Sequence, residues 1–193
     1  TTHYLFGLNS FRELEEPNLV SCIRKFPHAF CMGLQGPDIF FYYLPSYVLE
    51  GHNIGALAHV RETSAFFQGL IESRNQFSSR TDLNIAEAYL IGFLGHYTLD
   101  TICHPYIYAM THYKDKKEKA YFSRHAYLET DIDTALLDLK LHRQPCNFHT
   151  EDTLRLTHRQ KHVIASMLYY AYRYAFPDVK FRKYTMYLSL IHI

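Results

Sequence analysis

The chain has 193 residues, enough for one domain with a continuous core, and its 48% hydrophobic and 20% charged residues are those of an ordinary globular protein. A formal net charge of +1 excludes a strong field drawing it to nucleic acid or to an anionic membrane. The longest apolar stretches, such as residues 163–172, are too short to span a bilayer.

Helical periodicity dominates, and no alternating run bounded by turn signals makes a hairpin. A first helix is predicted over residues 2–14, stopping before Pro17. A second, over 17–26, has Pro17 at its first position and Pro27 just beyond its end. Residues 32–52 read as a long irregular connection with Gly33, Gly36, Pro37 and Pro45, and such long loops are often functional. A helix is expected from Asn53 to Asn75, with Leu57, Val60, Ser64, Phe67 and Ile71 along one face. Asp82 is expected to cap the next, which runs through Ala86, Leu90, Phe93, Tyr97 and Ile102 until Pro105 ends it. Further helices fall near 117–141 and 151–175, with Pro177 after the last. The expected fold is all-α, a single domain of about six helices over residues 1–187. The last six residues, LSLIHI at 188–193, resemble a translated library adapter and are read as a non-native tail on a chain truncated at its C-terminus.

Four cysteines (Cys22, Cys31, Cys103, Cys146) show no CxxC spacing, and three sit among apolar neighbours as buried small hydrophobes. They fit a cytoplasmic address, or a secreted one if the natural N-terminus has been trimmed. Histidine is abundant, with 13 occurrences, while Trp is absent.

The strongest local signal is GHYTLDTICHP. His96, Asp100 and His104 stand four apart, so on a helix they share one face. A divalent metal needs several converging donors, and this spacing supplies them from one rigid element. In RHAYLETDID, His125 and Glu129 repeat the spacing and Asp133 continues it. By itself that pattern is a solvated helix face; beside the first cluster it lets two facing helices hold ions between them. Asp38, in GLQGPDIFFYY, lies between a Gly-Pro turn and an aromatic run, where partial burial favours pairing or metal binding over an ordinary turn. His3 alone would be a surface residue. His28, His112, His142, His149, His158 and His162 are read as surface or packing residues.

The order His3, GPDIFF with Asp38, His96-x-x-x-Asp100, His104 and His125-x-x-x-Glu129 resembles the zinc-dependent phospholipase C family and its P1 nuclease relatives. The resemblance covers about residues 1–133. It implies an all-helical domain whose cleft holds two or three Zn2+ ions. Asp38, His96 and Asp100 would hold one, together with a histidine after Asp38. Asp100 would bridge to a second ion at His3, and His104, His125 and Glu129 would hold a third. The histidine after Asp38 is either His52, favoured by the family's spacing but directly after Gly51, or His59, in the following helix and preferred for its rigidity.

The resemblance implies a phosphodiesterase, with a phospholipid as first choice of substrate and Asp38 as ligand and base for the attacking water. Phe40, Phe41, Tyr42 and Tyr43 would supply a cleft wall, or core. The alternatives are a nuclease-like phosphodiesterase and a non-catalytic metal-binding or lipid-binding helical module. The charged stretch 114–119 mixes Lys with Asp115 and Glu118, so no stable nucleic-acid partner is expected.

Overall fold

A computed structural model describes residues 1–42, 54–112 and 119–191. Every regular element among them is helical. α1 (Thr2–Arg12), α2 (Pro17–Lys25) and α3 (Pro27–Gly33) are followed by a 3-10 turn (Gly36–Asp38) and α4 (Ile39–Tyr42). Next come α5 (Ile54–Val60), α6 (Thr63–Ser73), the long α7 (Arg80–Met110) and α8 (Lys119–Leu141). α9 (Thr150–Thr153), α10 (His158–Ala175) and α11 (Lys183–Ser189) complete the chain.

Local chemistry explains several boundaries. Pro17 opens α2, where the Glu16 carboxylate caps the free N–H of Leu19 at 2.7 Å. α10 begins with a reciprocal capping box: Thr157 N–H donates to Gln160 Oε1, and Gln160 N–H donates to Thr157 Oγ1.

The all-α expectation holds, with more than six helices among the described residues. The connection predicted over 32–52 is helical or 3-10 as far as Tyr42; the remainder of it lies outside the described residues. The helix predicted from Asn53 to Asn75 is broken, because Glu62 adopts a left-handed φ of 52°. That break resets the phase of α6. Phe66, Gly69, Leu70 and Ser73 turn inward, and Ile71 stands 40% exposed instead of lining the buried face. Asp82 does not cap α7; Ser79 occupies that position, and Asp82 accepts from Arg159 Nε at 2.6 Å. Pro105 does not end α7, which continues to Met110. The carbonyl robbed of its donor belongs to Thr101, an exposed residue where water can replace the bond. The helix predicted over 151–175 is split between α9 and α10. Of the cysteines, Cys22 and Cys31 are buried but Cys103 is only half-buried and Cys146 exposed, so two rather than three pack as small hydrophobes. α11 crosses Tyr187, and Leu190 beyond it is buried.

The main core lies where α3, α6, α7 and α10 meet, around Phe30, Phe66, Leu70, Tyr89, Phe93, Leu168 and Tyr172. Fully burying side chains of this size is worth roughly 1.5–3 kcal/mol each. Two glycines let α3 and α7 touch backbone to backbone. A Cβ on Gly33 would lie 2.2 Å from the Tyr89 carbonyl oxygen, and one on Gly92 would lie 2.1 Å from that of Phe30. This contact brings the Gly36–Asp38 turn over the middle of α7. Among the described side chains of α8 only Leu137 is buried, and it lies outside the main core.

Gly92→Ala therefore forces the two backbones apart. Its expected cost is about 1–3 kcal/mol, lowering the melting temperature by about 2–4 °C per kcal/mol. A melting curve matching the unsubstituted protein would contradict the contact.

Candidate metal centre

α7 carries His96, Asp100 and His104 on one face, and each meets a donor from another element. His96 is 2% exposed. Its ring lies against Gly36, where a Cβ would stand 2.2 Å from His96 Cδ2, and Gly36 holds a φ of +55°. Both the space and the backbone conformation demand glycine there. His96 Nδ1 is 3.2 Å from the Leu34 carbonyl oxygen. A carbonyl only accepts, so Nδ1 carries the proton and Nε2 presents its lone pair in the neutral ring. That Nε2 is buried without a hydrogen bond, although Asp100 Oδ2 stands 3.1 Å away.

Asp100 presents its two oxygens to different rings. Oδ2 faces His96, while Oδ1 is 2.9 Å from His3 Nε2. The His3 and His96 rings stack with centroids 4.4 Å apart. Burial alone would raise the Asp100 carboxyl; the His3 hydrogen bond and the nearby His96 overcome this and hold it far below the usual range.

The Gly36–Asp38 turn and α5 supply a second pair. His59 Nδ1 donates to the Gly55 carbonyl at 2.8 Å, so its Nε2 faces Asp38 Oδ1 at 3.0 Å. The His59 and His96 rings meet edge to face, with centroids 5.9 Å apart. Burial pulls the His59 imidazole down, yet the Asp38 hydrogen bond and charge raise it overall.

The third group joins α7 to α8. His125 Nε2 is 2.9 Å from Glu129 Oε1, and His104 Nε2 is 3.7 Å from the same oxygen. Glu129, which burial would raise, is lowered to about 2 by His104 and His125. The Glu129 carboxylate beside it in turn raises His104. Asp133, the continuation of this face, accepts from Thr2 N at 2.8 Å and Thr2 Oγ1 at 2.5 Å, caps the start of α1 and thereby fixes His3 beside Asp100.

Every predicted donor except His52, which lies outside the described residues, thus stands in one of three groups. These are His3, His96 and Asp100; Asp38, His59 and His96; and His104, His125 and Glu129, with the donor atoms of each within 4.8 Å of one another. Two imidazoles with Nδ1 committed to carbonyls turn lone pairs toward carboxylates, an arrangement that repels unless a proton or a cation lies between them. Nitrogen and carboxylate donors, with backbone carbonyls orienting the rings, suit zinc. The aromatic run divides: Phe40 is fully buried in the core rather than in a cleft wall, and Phe41 borders His59 with centroids 5.6 Å apart. Sequence reasoning passed over Tyr108, whose ring lies 5.3 Å from His104 and 6.1 Å from His125. Its position four residues after His104 was the available signal.

A family model for zinc-dependent phospholipase C matches residues 2–180. The chain belongs to that family. No curated protein and no solved structure matches it. Membership makes the domain a zinc-dependent, phospholipase C-like hydrolase of phosphodiesters. No described helix of this family member is long and apolar enough to cross a membrane.

Proton linkage distinguishes the metal-free from the metal-loaded protein. Glu129, lowered to about 2, adds stability above about pH 4.5 that is lost in stronger acid. His59 and His104 are raised, so their charged forms stabilise the metal-free fold below about pH 6.5. That contribution fades as pH rises through their folded values. Zinc requires neutral imidazoles, so its affinity grows over the same interval. With chelator present, the melting temperature should fall between about pH 6 and about pH 8, while the gain on adding zinc should widen. A zinc-dependent gain that shrinks toward alkaline pH would contradict these assignments.

Proposed function

We propose that the protein is a phospholipid-cleaving phosphodiesterase using two or three zinc ions. The observation that carries this reading is the pair of Nε2 atoms, on His59 and His96, turned toward carboxylates with their Nδ1 atoms committed to carbonyls. In this reading Asp38, His59, His96 and Asp100 would hold one ion. His3 and Asp100 would hold a second. His104, His125 and Glu129 would hold a third. Bound zinc supplies Lewis-acid polarisation of the phosphate oxygens and a water activated near neutral pH.

The chain's own residues do the rest. Asp38, 34% exposed at its side chain, has one oxygen on His59 and offers the other to the attacking water. As water attacks phosphorus, the P–O bond to the lipid alcohol breaks. Asp38 takes the water's proton, and solvent returns one to the departing oxygen. Asp100 and Glu129, each paired with two histidines that hold its carboxyl below the usual range, are weaker bases for that proton. Phe41, 38% exposed beside His59, offers an apolar flank for a lipid ester rather than the basic and aromatic lining a nucleic-acid strand needs.

Protein purified without chelator is expected to carry at least about two zinc equivalents, and His96→Ala to lose most of one. It should hydrolyse phosphatidylcholine in mixed micelles faster than single-stranded DNA. Asp38→Asn should lower that rate by about 100-fold or more. His59→Ala should reduce zinc content and activity far more than His52→Ala. The reverse order would make His52 the ligand, and preference for DNA would make the enzyme nuclease-like. Zinc binding without turnover of either substrate would leave a non-catalytic metal-binding module.

A further inference from the structure

We infer that Tyr172, on α10 and outside the three donor groups, is a positioning residue that sets the spacing of Asp38 and His59. This rests on the reading of those two side chains as zinc ligands. Along the chain residues 39–58 lie between them, so their covalent connection is long. Tyr172 makes a short one through space. Its hydroxyl donates to the Ile54 carbonyl at 3.0 Å, at the first turn of α5, which carries His59. Its ring meets Phe40 edge to face, with centroids 5.4 Å apart, and Phe40 sits two residues after Asp38.

Both arms reach the donors through rigid steps. On one side the Gly55 carbonyl, next to Ile54, accepts from His59 Nδ1 and orients the ring. Gly55 also lies close against the turn bearing Asp38, since a Cβ there would be 3.1 Å from the Pro37 carbonyl oxygen. On the other side Ile39 and Phe40 are fully buried, which anchors the turn behind Asp38. Tyr172 itself is fully buried and wedged among Phe66, Phe176 and Phe181, with ring centroids 4.9, 6.1 and 5.0 Å away. A phenol hydroxyl in such surroundings costs free energy unless bonded, and phenylalanine would fill nearly the same volume. The hydroxyl's contribution is the hold on Ile54. Groups bonded directly to a ligand govern metal affinity by about 10–100-fold, and Tyr172 holds the residue next to such a group, the Gly55 carbonyl.

The test is zinc affinity, read by competition with a chromophoric chelator and by the visible spectrum of the cobalt-substituted protein. Tyr172→Phe should weaken the Asp38–His59 ion about tenfold or more and alter its cobalt bands, leaving the His104–His125–Glu129 ion unchanged. Phe40→Leu, which loosens the other arm, should give the same selective loss. In a His59→Ala background, Tyr172→Phe should have no further effect on that ion, because the two act through one path. Affinity within about twofold of the unsubstituted protein, or an equal fall at both ions, would overturn the positioning role. Absence of any ion sensitive to His96→Ala would overturn the metal reading itself, and this inference with it.

Discussion

The buried ring of His96 is the constraint from which the rest of the centre takes its geometry. Its Nδ1 is bonded to the Leu34 carbonyl, and its face lies on Gly36. It can sit there only because Gly33 and Gly92 let α3 approach α7 at backbone distance. Once fixed, it sets where the others stand: His3 stacks on it, His59 meets it edge to face, and Asp100 lies one turn along the same helix. A buried imidazole nitrogen without a hydrogen-bond partner is a cost that a cation bound there would relieve.

The centre therefore joins elements that apolar packing alone would hold loosely. Among its described side chains α8 buries only Leu137, yet its His125 and Glu129 face His104 on α7, and its Asp133 caps α1. Charged contacts stand where a hydrophobic seam would along that part of the helix. Asp100 and Glu129 are each held below the usual carboxylate range by their histidines. A metal bound at these groups would couple its affinity to folding.

Much of this was legible in the sequence because the helical period is a strong ruler. The spacing of His96, Asp100 and His104 places them on one face whatever surrounds them, and the same holds for His125 and Glu129. The all-helical class followed from the same periodicity. What was not legible depended on tertiary context. Glu62 breaks a helix through a left-handed φ that nothing in its neighbourhood announces, and the inward face of α6 changes with it. Pro105 stays inside α7 because the carbonyl it deprives is exposed, a property of the fold rather than of the local string. The Leu34 and Gly55 carbonyls that set the two imidazole tautomers are backbone atoms, invisible to any motif. Phe40 and Phe41 are neighbours of one type, yet one packs in the core and the other borders His59.

The central claim is that these donors converge on zinc, and diffraction at the zinc absorption edge tests it most directly. Crystals of protein purified without chelator should show one anomalous peak about 2.0–2.1 Å from His96 Nε2 and a second at the same distance from His125 Nε2. Strong anomalous signal elsewhere on the chain, with neither position occupied, would contradict the account.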